Sequence, residues 1–120
     1  MAHHDHASDQ KAGAGMRRDP GAHLTRAEKA MLHTRDAHVR IRDHYESIED
    51  DWNIRIEDSG EAVTKARYRS MLRAEREGDG DMGRAWRLYQ KVRRVLARRI
   101  QQCAELKRRY YDDRDMGTGG

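Results

Sequence analysis

At 120 residues, with 36 % hydrophobic and 38 % charged side chains, no Phe and one Pro, the chain fits one small domain and holds too little apolar material for a deep globular core. Its formal net charge of +4 and pI near 9.5 are mildly basic and do not by themselves demand a nucleic-acid partner. No uncharged run is long enough to span a bilayer, the start lacks an apolar secretory segment, and the single Cys103 cannot close an internal disulfide.

These features predict a protein without membrane contact, cytoplasmic or part of a virion. Arg outnumbers Lys twenty to five, which suits bidentate contacts to carboxylate or phosphate, although a GC-rich genome produces the same bias.

Residues 1–23 mix Gly, Ala, His and charge without periodicity and are expected to form a disordered tail. Within it "HHDH" places His3, or His4 after loss of Met1, where a free N-terminus favours square-planar Cu(II) or Ni(II). On a tail of this kind such binding is adventitious, so no metal site and no cofactor is assigned.

At Thr25 and Glu28 the Thr-x-x-Glu spacing of a capping box predicts that a helix begins, to run over residues 24–57. Along it Leu24, Ala27, Met31, Thr34, His38, Ile41, Tyr45, Ile48 and Trp52 recur at steps of three and four, a heptad stripe of the coiled-coil kind. His38 inside this stripe is expected to set register or be hydrogen-bonded rather than to bind metal.

Gly60 weakens the helix, and Asp58 with Glu61 forms a second capping-box spacing, so a further helix is expected over residues 61–77, separate or continuous with a bend. Its apolar residues divide between Val63, Ala66, Met71 and Ala74 on one side and Tyr68 with Leu72 further round.

The segment "GDGDMG", residues 78–83, is the strongest loop signal in the chain. It shares the alternating aspartates of a calcium loop but has Gly83 and Gln90 where that motif needs acids, and so reads as a turn. A last helix over residues 82–113 carries Ala85, Leu88 or Tyr89, Val92, Val95 or Leu96, Cys103, Leu106 and Tyr110 as its stripe, interrupted by Arg99, and residues 114–120 are expected to fray.

Together these elements predict an all-α protein, an elongated helical hairpin or three-helix bundle with coiled-coil-like packing, whose helical domain spans residues 24–113. At roughly 1.5 Å per residue the three helices would measure about 50, 25 and 46 Å, a mismatch that leaves apolar stripe uncovered. The usual remedy is another chain, so a homo-oligomer, most simply an antiparallel dimer, or a partner helix is expected. The residues expected to form this core and oligomer stripe are Met31, His38, Ile41, Tyr45, Ile48, Trp52, Val92, Leu96, Cys103, Leu106 and Tyr110.

Residues 84–111 hold ten Lys or Arg and one acid, Glu105. Arg84, Arg87, Lys91, Arg94 and Arg98 recur at helical steps and make a cationic rail that can follow a phosphate backbone or answer the acidic stretch from Glu46 to Asp58. No DNA-reading motif accompanies the rail, and no residue pattern supplies a nucleophile with its base, so no catalytic residue is assigned.

Around Trp52, and at Tyr111 and Asp115 with their Tyr-x-x-x-Asp spacing, the chain resembles the small helical-hairpin substrates of type VII secretion. In that family the Trp belongs to a Trp-x-Gly turn, whereas here Asn53 and Ile54 follow Trp52. The leading expectation is a non-enzymatic, oligomerising helical interaction or assembly protein, a scaffold or adaptor of the kind found among phage or mobile-element structural components. The alternatives are a nucleic-acid-associated accessory protein using the basic last helix and, as the resemblance implies, a secreted helical hairpin.

Overall fold

The computed structural model describes residues 20–119, and the side chains of residues 21–112. Over these residues the chain is all-α, with helices α1 (Pro20–Asp58), α2 (Lys65–Glu77) and α3 (Asp81–Gly119). Of the disordered tail expected over residues 1–23, residues 1–19, with His3 and His4, lie outside the described residues, and residues 20–23 belong to α1 instead.

Helix α1 begins four residues before the expected start. Proline's fixed φ and missing N–H suit a first helical turn, where that N–H would find no acceptor, so Pro20 can open the helix. Thr25 is not the cap: its Oγ1 donates to the Gly21 carbonyl at 2.9 Å within the helix. No Gly or Pro follows until Gly60, which leaves α1 unbroken for 39 residues. Gly60 then takes φ +74°, and the N–H groups of Ser59 and Gly60 reach back to the carbonyls of Arg55 and Glu57 at 3.1 Å each. This left-handed closure, open to glycine at no steric cost, separates α1 from α2.

The expected second capping box is displaced as well. Residues 61–64 are not helical; Thr64 caps α2, its side chain accepting from the Arg67 N–H at 3.2 Å. The packing side of α2 is Tyr68, Met71 and Leu72, while Ala66 and Ala74 are exposed, so the apolar side read from the sequence is corrected by a partial turn.

The loop after α2 is only residues 78–80, shorter than the 78–83 loop signal; α3 begins at Asp81, one residue before the expected start, and Met82 and Gly83 are buried in its first turn. A Cβ on Gly83 would stand 1.9 Å from the Gly78 carbonyl oxygen and 3.2 Å from that of Glu75. Glycine is required there by close backbone approach, not by turn conformation. Helix α3 continues to Gly119, past the expected fraying point, since no proline interrupts it.

With 39 residues each, α1 and α3 are both about 58 Å long at 1.5 Å per residue. Helix α2, with 13 residues, is about 20 Å long, so the short middle helix expected from the sequence stays short beside the outer two.

The chain divides into two compact units, each drawing one segment from α1 and one from α3. In the unit spanning residues 32–98, Tyr45 and Trp52 of α1 and Met82 and Ala85 of α3 form the core, against which α2 lays its packing side. Burying a side chain the size of Met82 stabilises by about 1.5–3 kcal/mol, and the single methyl of Ala85 by less. Tyr45 meets Trp86 with centroids 5.0 Å apart and His38 meets Tyr89 at 5.6 Å, so α1 and α3 run antiparallel in this unit. In the other unit, which takes α1 up to Met31 and α3 from Arg99 onward, Leu24 and Cys103 are buried.

Candidate interaction surface

The heptad stripe of α1 turns inward. Tyr45 and Trp52 are buried, as are Val92 and Cys103 of α3; Met31, His38, Ile41, Ile48, Leu96, Leu106 and Tyr110 are half-buried. Much of what was expected to need a second chain is thus shielded within one. Trp52 stands inside α1 with its ring 5.6 Å from that of Tyr68, not in an inter-helix turn, so the Trp turn implied by the secretion-substrate resemblance is absent. Tyr111 is half exposed, and the Asp115 side chain lies outside those described.

One polar cluster joins all three helices in the unit of residues 32–98, and it was not anticipated from the sequence. Arg76 of α2 donates from Nε to the Tyr45 hydroxyl at 2.7 Å and from Nη2 to Glu49 Oε1 at 3.0 Å, while the Tyr45 hydroxyl donates to the same carboxylate at 2.5 Å. The guanidinium carbon lies 3.9 Å from the Trp86 ring centroid, within cation–π range. Burial, reinforced by the Glu49 hydrogen bond, pushes the Tyr45 phenol up to about 12. Burial works against the Arg76 charge, but its bonds to Tyr45 and Glu49 outweigh this and raise its pKa above the ordinary value. A second polar link, the Tyr68 hydroxyl donating to Asn53 Oδ1 at 2.7 Å, ties α2 to the same flank of α1.

The only sequence signal for this cluster was heptad spacing: Glu49 follows Tyr45 by four residues beside the stripe, where a polar side chain can reach a neighbouring helix.

With α2 on the Glu49 and Asn53 flank, the opposite flank of the α1–α3 pair stays open. There His44 and Ile48 of α1 and Asp81, Arg84, Ala85 and Leu88 of α3 line an open hollow of about 430 Å³. Leu88 is 48 % exposed beside the half-buried Ile48. Steps of seven extend the flank, from Leu88 to Val95 and from Ile48 back to Ile41.

All five rail residues, Arg84, Arg87, Lys91, Arg94 and Arg98, are exposed, but the structure divides them. Arg84 donates to the Asp79 carbonyl at 2.6 Å and to the Asp81 carboxylate at 2.5 Å, and Arg87 donates to the Gly78 carbonyl at 2.9 Å. These two fasten the 78–80 turn to α3. Lys91 and Arg98 follow Arg84 at steps of seven, so the rail borders the open apolar flank instead of forming a separate face. Arg99, which interrupts the stripe, is half-buried, and its Nε has no acceptor among the described residues.

Among the described residues no group of three or more His, Cys, Asp or Glu is placed to hold a metal ion, and no helix is long and apolar enough to cross a membrane. Compared with known protein families, curated proteins and solved structures, the chain finds no match.

Proposed function

We propose that the chain is a non-enzymatic helical interaction protein that self-associates, acting as a scaffold or assembly component. The observation that carries this reading is the open flank of the α1–α3 pair, where Leu88 remains half exposed beside Ile48 while α2 covers the other flank. Apolar surface continued along a helix pair at heptad spacing gains stability when another helix covers it, at about 25 cal/mol per Å² removed from water. Light scattering after size exclusion tests this: mass above that of the monomer at micromolar concentration supports it, and a monomer throughout the range contradicts it.

A second reading, contact with nucleic acid, is favoured by Lys91, Arg94 and Arg98, which stand exposed with no acid within 4.0 Å among the described residues. Phosphate contacts of this kind weaken steeply as salt rises. A gel shift that is lost in moderate salt, and lost when these three residues become Glu, would support it; no shift at low salt ends it.

A further inference from the structure

We propose that the chain self-associates head to tail, an acidic ridge on α1 of one copy seating in the basic-walled flank between α1 and α3 of the next. This rests on the self-association reading above and names the two surfaces it uses. The ridge consists of Leu32, Asp36, Val39, Asp43 and Glu46, which recur at steps of four and three and therefore share one face of α1. All five are exposed, with Leu32 at 42 % and Val39 at 39 %. Arg42 stands 3.3 Å from Asp43 and 3.9 Å from Glu46, exposed pairs of little strength that a partner's cation can displace, while Asp36 has no ion pair among the described residues. An apolar pair flanked by carboxylates on an outward helix face is the surface an acidic amphipathic helix offers to a groove.

The hollow itself is lined by His44, Ile48, Asp81, Arg84, Ala85 and Leu88, with Arg84 bonded to Asp81. The positive charge of the flank that is unpaired among the described residues lies further along α3 at Lys91 and Arg98, which follow Arg84 at steps of seven, as Val95 follows Leu88 and Ile41 precedes Ile48 on the apolar floor. Val39 and Ile48 are nine residues apart, as are Leu32 and Ile41, which at 100° per residue sets each pair on opposite sides of α1. Ridge and groove therefore face away from each other and cannot meet within one copy.

A two-fold dimer closing groove on groove about an axis between Lys91 and Arg98 sets these residues of one copy near those of the other, a like-charge juxtaposition that opposes association. Ridge-in-groove contact instead pairs Asp36 and Asp43 with Lys91 and Arg98. Such a contact joins two different surfaces, so each copy keeps one free half and growth continues into a ring or filament.

The test is sedimentation velocity on three full-length proteins whose helicity is first matched by circular dichroism. They are the wild type, Leu88→Asp in the groove, and the double change Leu32→Asp with Val39→Asp on the ridge; every position changed is exposed. The wild type is expected to grow past a dimer as concentration rises, and each variant to stay monomeric. The equimolar mixture of the two variants should form a one-to-one dimer and stop there.

A mixture that stays monomeric while the wild type associates would overturn head-to-tail contact, and so would a ridge variant that associates like the wild type. A wild type that is monomeric at every concentration contradicts the self-association reading itself, and a Leu/Glu amphipathic peptide then binding the groove assigns it to a foreign acidic helix. Charge reversal gives an independent check. Lys91→Glu with Arg98→Glu, and Asp36→Lys with Asp43→Lys, should each weaken association by at least about tenfold, and mixing the two should restore it.

Discussion

The Arg76 guanidinium lies 3.9 Å from the centroid of the Trp86 ring, and the same group hydrogen-bonds Tyr45 and Glu49 across the interface with α1. One side chain of the short helix α2 thereby contacts both long helices of its unit. Because α2 has no buried residue of its own, this contact adds to the partly buried Tyr68, Met71 and Leu72 in holding it in place.

Replacing Arg76 with Met keeps the stem and removes the charge, leaving Glu49 and the Tyr45 hydroxyl without their shared donor. The expected loss is about 1–3 kcal/mol in urea unfolding, since a hydrogen-bonded ion pair this sheltered is worth more than a surface pair. Arg76→Lys should recover little of it, because an ammonium cannot lie flat on the indole while bonding two oxygens. A double change of Arg76 and Glu49 that costs no less than the sum of the single changes would show the pair to be uncoupled.

Gly83→Ala should be more damaging than Gly60→Ala, for a different reason. At Gly60 nothing lies within 4 Å of an added Cβ, and the cost is the left-handed φ alone, about 1 kcal/mol. At Gly83 the added carbon meets backbone at 1.9 Å, so α3 has to move away from the end of α2, at about 2 kcal/mol or more. Equal unfolding midpoints for the two variants would contradict the close approach.

The Tyr45 phenol supplies a pH dependence of known sign. Its folded pKa, about 12, exceeds the ordinary value of 10.0, so the folded state holds the proton more tightly than the unfolded one. The resulting stabilisation is complete below pH 10 and is lost as pH rises toward 12. Two pH units correspond to roughly 2–3 kcal/mol at most. Denaturant titrations at pH 9 and pH 11 should show a fall in the wild type that is smaller in Tyr45→Phe; equal falls would contradict the burial argument.

The α1 stripe was legible in the sequence because burial follows heptad spacing: every position from Leu24 to Trp52 at those steps is buried or half-buried. Helix starts were misplaced because Thr-x-x-Glu spacing is also met inside a helix, as at Thr25, where the hydroxyl bonds back to Gly21. Gly83 counted toward the 78–83 loop signal although it also fell inside the expected last helix, since a glycine demanded by close packing looks the same in sequence as one demanded by a turn. The Arg76 cluster stayed hidden because its members lie 27 and 31 residues apart, and nothing in sequence spacing says which flank α2 will cover. The rail was visible as charge, but its place along the edge of an apolar flank depends on how α1 and α3 pair.

Sedimentation equilibrium of the wild type beside Leu88→Asp decides whether the open flank drives self-association, because Leu88 lies in that flank and carries little of the chain's own core. The wild type is expected to exceed monomer mass at micromolar concentration, and Leu88→Asp, with helicity unchanged, to return to monomer. A wild type that stays monomeric, or a variant that associates as strongly as the wild type, would contradict that role of the flank.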